Sequence, residues 1–317
     1  MSIVETALEK ARRRLAQQES ASKAVARPGL DETQRIQRTD IDVPVLPAPE
    51  RAAARALMGR RSIRLDRPAL RDAGVLPPIG SERRLADEYR RIKRPLVARA
   101  LDTVDPANAR ARLIMVGSAV PGEGKTFTSL NLALSMALER DLHVLLVDAD
   151  SPKPQLSRLF GLEAERGFLD LLRDNTLDPE SLILSTDVEG LTVLPAGSRS
   201  DTDTELLASK RMERVMAQLL ADDRHRVVIL DSPPLLLTNE SRELTSAVGQ
   251  VVLVVRAEST SPQTVLDAID VIAEGRSVGL ILNQVAPGFG RHQYYGYGYG
   301  YGDAPAEPGA GRLPPPR

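Results

Sequence analysis

The chain has 317 residues, of which 42% are hydrophobic, only 3% aromatic and none cysteine. That suits one large α/β domain with appendages and excludes disulfides, thiol catalysis and cysteine-ligated metal. The net charge of −1 is split: residues 1–110 hold 23 Lys and Arg against 15 Asp and Glu, and residues 111–317 hold 19 against 28.

In chain order, Ile3, Val4, Ala7, Leu8, Ala11 and Leu15 fall at helical spacing with basic residues opposite, which predicts a short amphipathic helix. Its acidic residues and lack of a long apolar run do not fit a signal peptide, and no run approaches the ~20 apolar residues of a membrane span. The basic leader suits an anionic membrane surface or an acidic partner; a solvated arm is the plainer alternative. Polar and Pro-containing stretches, such as Val43-Pro-Val-Leu-Pro and Leu76-Pro-Pro-Ile-Gly, read as linker, so residues 1–80 form a flexible arm.

From Ser81 a second helix is expected, with Leu85, Tyr89, Ile92 and Leu96 on one face and Pro95 kinking or dividing it. Glu88, Arg91 and Arg94 lie three apart on one stripe of it, the commoner meaning of which is surface ion pairing. Beyond Arg110, short apolar runs at 113–116, 144–147, 191–194, 227–230, 251–255 and 278–282 read as strands. Helical patterns at 125–139, 205–220 and 262–273 lie between them. This alternation predicts a mostly parallel sheet covered by helices on both faces, spanning a domain at 81–287. Residues 288–317 are rich in Tyr, Gly and Pro and read as a mobile tail.

Ala119-Val120-Pro121-Gly122-Glu123-Gly124-Lys125-Thr126-Phe127 follows the first of those strands and opens a helix. It fits the Walker A pattern, with Ala119 where a glycine usually stands. Glycines let successive N–H groups turn toward phosphate oxygens, Lys125 reaches the β- and γ-phosphates of ATP, and Thr126 offers its hydroxyl to Mg²⁺. An α/β P-loop NTPase fold follows. Asp148 and Asp150 end one strand and Asp231, before Ser-Pro-Pro, ends another as Walker B. Hard oxygen ligands are what Mg²⁺ requires, which points to Thr126, Asp150 and Asp231 as its holders. Asn283, at the end of the last strand, is either an adenine contact or a turn asparagine.

With these motifs the sequence resembles the bacterial tyrosine kinases that control exopolysaccharide chain length, over residues 81–302. The Gly-Tyr repeats and the stretch Arg91-Ile-Lys-Arg-Pro resemble most the branch that accompanies exosortase-linked clusters. Asp148-Ala-Asp150 is similar to the family's extra Walker A′ motif, although Pro152 stands where many relatives carry arginine. Glu88, Arg91 and Arg94 match a Glu-x-x-Arg-x-x-Arg oligomerisation motif. The resemblance implies a non-specific protein-tyrosine kinase with Lys125, Asp148, Asp150 and Asp231 as catalytic residues. It suggests Asp148 as the base or orienting group for the incoming tyrosine hydroxyl, with Asp150 the alternative. Tyr294, Tyr295, Tyr297, Tyr299 and Tyr301 would be the autophosphorylated acceptors.

It further implies a ring-like homo-oligomer that phosphorylates in trans and a separate membrane-embedded chain-length regulator as activator. A cognate tyrosine phosphatase and a cytoplasmic place at the inner membrane face through that partner complete the expectation; a nucleic-acid partner does not belong to it. The rival reading is a partition or cell-division ATPase switch. Those often carry a lysine at the second P-loop position, where Val120 stands here, and have no use for a tyrosine tail.

Overall fold

The computed structural model describes residues 61–102, 106–200, 203–221 and 223–286. The expected amphipathic helix at 3–15 and the tyrosines at 294–301 lie outside the described residues. In order come β1 (Ser62–Ile63), α1 (Arg67–Asp72), α2 (Glu82–Ala100), β2 (Leu113–Ser118), α3 (Lys125–Met136) and β3 (His143–Asp148). Next are α4 (Gln155–Leu159), α5 (Phe168–Arg173), α6 (Pro179–Leu182), β4 (Leu184–Thr186), β5 (Leu191–Leu194), α7 (Asp203–Leu207) and α8 (Lys210–Ala221). The last are β6 (Arg226–Asp231), α9 (Asn239–Ala247), β7 (Gln250–Arg256), α10 (Pro262–Val271) and β8 (Ser277–Asn283).

The eight strands form one sheet in the order β1-β4-β5-β3-β6-β2-β7-β8. Every neighbouring pair is parallel except β4 with β5. The central strands are apolar throughout because both faces are covered. Leu113, Met115, Leu145, Val147, Val228, Leu230, Val251 and Leu253 point into one core, shared with residues of α5, α8, α9 and α10. Their neighbours Ile114, Val116, Val144, Leu146, Val227, Ile229, Val252 and Val254 point into the other, shared with α2 and α3. Strand alternation alone produces this division.

Three expectations need correction. Residues 61–80 are not linker: β1 pairs with β4, and Leu65, Leu70, Val75 and Leu76 are buried. Asn131 Nδ2 of α3 donates to the Val75 carbonyl at 2.9 Å. Their apolar residues follow no single period, which hid them behind the Pro-Pro composition. Pro95 does not divide α2, which runs unbroken from Glu82 to Ala100. The carbonyl left without a helical donor belongs to exposed Arg91, where water can reach it. The single helix read at 205–220 is two, because the Ser209 hydroxyl takes the Leu206 carbonyl at 2.6 Å and receives the Arg211 N–H at 3.2 Å. Such a serine ends one helix and caps the next.

Candidate functional site

The loop from Ala119 to Gly124 joins β2 to α3 at the carboxyl ends of the strands. Gly122 and Gly124 both adopt left-handed backbone, with φ of 81° and 97°. A Cβ on Gly124 would also stand 2.0 Å from Asn283 Nδ2, so glycine is required there for conformation and for space. Asn283 Nδ2 donates to the Glu123 carbonyl at 2.9 Å, and Gln284 Nε2 lies 3.5 Å from the Gly122 carbonyl. Asn283 is therefore a support beneath the loop, a role the sequence reading did not include.

Glu123 is buried, which sequence reasoning did not anticipate for an acid in a phosphate loop. One carboxylate oxygen accepts the Val120 N–H at 2.8 Å, closing the loop on itself. The other accepts from Thr260 Oγ1 at 2.5 Å and from the Arg256 N–H at 3.3 Å. These bonds hold the phosphate loop to the turn that follows β7.

Asp148 and Asp231 are register partners on adjacent strands, and both are 1% exposed. Asp148 continues the Val144, Leu146 parity and Asp231 the Val227, Ile229 parity, so both carboxylates emerge on the face covered by α3. Thr126 Oγ1 donates to Asp231 Oδ2 at 2.8 Å, and Ser129 Oγ donates to Asp231 Oδ1 at 2.9 Å. Thr126 and Ser129 are three apart and share one face of the helix. Burial, and then the neighbouring Asp148, push the Asp231 carboxyl up to about 7.

Asp148 Oδ2 accepts both the N–H and the hydroxyl of Ser157, at 2.7 and 2.8 Å. The Ser157 hydroxyl in turn receives the Ala196 N–H at 2.9 Å. Burial pushes Asp148 up to about 6, against the pull of these donors. Asp150 is only half-buried, and burial raises its pKa while Lys125 opposes the rise. Its carboxylate also receives the Lys153 N–H at 3.1 Å. Lys125 is nearly buried; burial lowers its pKa, opposed by Asp231, Asp150 and Glu123.

The structure thus gathers Lys125, Thr126, Asp148, Asp150 and Asp231 at one strand end. No group of three or more His, Cys, Asp or Glu suited to a metal occurs among the described residues. Thr126 and Asp231, in contact through oxygen atoms, are hard oxygen donors of the kind that could hold Mg²⁺.

Glu88, Arg91 and Arg94 sit apart from this site, all exposed on α2. Glu88 lies 3.7 Å from Arg84, while neither Arg91 nor Arg94 forms an ion pair among the described residues. The same helix turns Tyr89 and Lys93 inward, and Lys93 Nζ donates to the Ser135 carbonyl at 2.5 Å and pairs with Glu139 at 2.8 Å. Tyr89, the sixth tyrosine of the chain, is buried.

Residues 111–277, more than half of the chain, match the AAA domain family. The tyrosine-protein kinase YwqD of Bacillus subtilis is 29% identical over 67% of this chain and 85% of its own length. The tyrosine-protein kinase ptk of Acinetobacter johnsonii is 31% identical over 49% of this chain, which spans only 20% of that longer protein. Among solved structures, the VpsO kinase domain superposes with a TM-score of 0.53 at 29% identity, over 66% of this chain and all of that one.

Proposed function

The chain belongs to the AAA domain family and, within it, to the bacterial tyrosine kinases, and from that premise we propose that it transfers the γ-phosphoryl group of ATP to the tyrosines of its own C-terminal tail. One observation carries the reading: Lys125 and Thr126 on α3 stand over the paired strand-end carboxylates Asp148 and Asp231, and the chain supplies five tyrosines within residues 294–301.

Phosphoryl transfer passes through a loose transition state, so positioning and charge neutralisation do most of the work. The loop N–H groups and Lys125 hold the β- and γ-oxygens. Thr126, Asp231 and Asp150 are the residues that would hold Mg²⁺, whose contribution when bound is to neutralise phosphate charge. A phenol of pKa about 10 is protonated at neutral pH. Asp148 is therefore the group to accept or orient the hydroxyl hydrogen of the incoming tyrosine, with Asp150 as the other candidate. Asn283 is the residue proposed to meet the nucleotide base, beside its observed bond to the Glu123 carbonyl.

Tyr89 is buried, so the acceptors are the tail residues Tyr294, Tyr295, Tyr297, Tyr299 and Tyr301. Arg91 and Arg94 make the contact by which one copy holds the tail of the next in a ring. Each phosphotyrosine adds about −1.5 to −2 charges, and their repulsion loosens the assembly. No helix among the described residues is long and apolar enough to cross a membrane. The proposed place is the inner membrane face, held there by a membrane-embedded chain-length regulator. A tyrosine phosphatase resets the cycle that controls exopolysaccharide synthesis or export.

Incubation with Mg-ATP followed by intact-mass measurement tests the reading. Mass gains in steps of one phosphate, confined to the tail peptide, are expected. ATP turnover without mass gain would instead identify a nucleotide switch of the partition type.

A further inference from the structure

At the amino-terminal ends of the strands, opposite the phosphate loop, lies a cavity of about 480 Å³ lined by Arg110, Arg112, Leu113, Met216, Leu220 and Arg224 among others. Its size falls in the range of ligand pockets, about 300–1,000 Å³. The floor is apolar, since Leu113, Met216 and Leu220 are buried core residues. The rim is cationic. Arg224 is exposed and forms no ion pair or hydrogen bond among the described residues. Arg110 is half-exposed and, among the described residues, reaches Glu213, the one acid of the lining, at 3.4 Å.

Arg112 donates one guanidinium nitrogen to the Asp223 carbonyl at 2.7 Å and lies 3.5 Å from those of Leu220 and Arg226, which fixes it at the end of α8. Burial lowers its pKa, Asp223 opposes that, and Arg224 and Arg226 add to the lowering. The Asp223 carboxylate is itself taken by His143 Nδ1 at 2.5 Å and the His225 N–H at 2.8 Å. The pKa of Arg276 is lowered by burial and by the charge of Arg110. Three guanidinium groups, those of Arg110, Arg112 and Arg224, therefore line a cavity whose one acidic lining residue among the described residues is Glu213, with Asp223 the nearby carboxylate whose charge Arg112 feels.

We propose that this cavity binds a phosphotyrosyl side chain from the tail of a second copy, with the ring on the apolar floor and the phosphate between Arg110, Arg112 and Arg224. Guanidinium forks match phosphate oxygens bidentately and stack on aromatic rings, and an arginine cluster is how proteins read phosphorylated segments. A bare phosphate leaves the apolar floor uncovered, and an unmodified tyrosine brings no charge to Arg224, which has no partner among the described residues. The tail follows β8 at the opposite end of the sheet, which favours a neighbour's tail over the chain's own. The natural ligand rests on the kinase reading above; the binding site does not, because it can be measured without catalysis.

The test titrates the full chain carrying Lys125→Met with a synthetic peptide of residues 293–303 phosphorylated on Tyr297, by calorimetry. Binding is expected for this peptide. It should weaken about tenfold or more in a chain that also carries Arg224→Glu, an exposed position whose change leaves the core untouched. Arg110→Ala, whose melting temperature is checked alongside, should weaken it as well. Equal binding by the unphosphorylated peptide overturns the proposal, as does competition by inorganic phosphate at the same concentration as the phosphopeptide. Binding unaffected by Arg224→Glu, or absent at millimolar peptide, overturns it too. Tail phosphorylation in the parent chain reports separately on the kinase reading.

Discussion

Asp148 and Asp231 face each other across adjacent parallel strands, both buried, and burial drives the two carboxyls up to about 6 and about 7. Their ordinary value is 3.8, so the folded chain without ligand binds more protons than the unfolded chain between about pH 4 and 7. Groups raised in this way contribute stability that is present below the unfolded pKa and lost as pH rises through the folded one. The nucleotide-free protein should accordingly melt at lower temperature at pH 8 than at pH 6. Asp231→Asn, which removes the larger of the two shifts, should flatten that slope. Mg-nucleotide requires ionised carboxylates, so its affinity should rise over the same interval with proton release. Calorimetry at pH 6.5 in buffers of different ionisation enthalpy measures that release; its absence would count against Asp231 as a metal holder.

Lys125→Met should reduce tail phosphorylation at least about 100-fold, the scale of losing one preorganised charge at a transition state. Stability should change little, since the carboxylates whose charge the lysine feels can protonate in its absence. Mixed with a chain truncated after Ala286, which has catalysis but no tail, the Lys125→Met chain should become phosphorylated. The rate should rise with protein concentration. If the mixture stays unmodified while intact protein modifies itself at a concentration-independent rate, the reaction is in cis.

Gly124→Ala meets two obstacles, a φ of 97° and an Asn283 amide 2.0 Å from the new Cβ. A residue forced into such a conformation costs about 1–3 kcal/mol. Thermal melting should fall and nucleotide binding should be lost. Adding Asn283→Ala relieves the overlap and leaves the backbone strain, so the double variant should recover part of the stability and little of the binding.

Three basic residues of α2 should separate by role. Arg91→Ala with Arg94→Ala removes exposed groups without ion pairs among the described residues, so folding should be unaffected while light scattering shows loss of assembly and phosphorylation falls. Lys93→Ala takes a buried donor from the Ser135 carbonyl and from Glu139, and should lower stability by about 1–3 kcal/mol. An unchanged assembly in the double arginine variant would return those residues to an ordinary helix surface, where exposed pairs contribute about 0–1 kcal/mol.

The sequence by itself determined the six longer strands, the phosphate loop with Lys125 and Thr126, and the strand-end acids Asp148, Asp150 and Asp231. Each is written in neighbouring residues: the apolar runs of the central strands need two buried faces, and a loop that curls around phosphate needs its glycines a fixed few positions apart. Tertiary structure alone decided what those residues touch. Thr126 meets Asp231 across 105 positions, Glu123 meets Thr260 across 137, and Asn283 reaches the Glu123 carbonyl across 160. Ser157 is placed on Asp148 by a five-residue helix that no periodicity announced. The two-residue strand at Ser62 forms because β4 offers it an edge, and the inward turn of Lys93 depends on α3 lying beneath α2. Local pattern records what a segment can be, whereas strand order and helix stacking bring distant side chains within hydrogen-bonding reach, and those contacts fix which acid is buried, which cation is paired and which face is left for a partner.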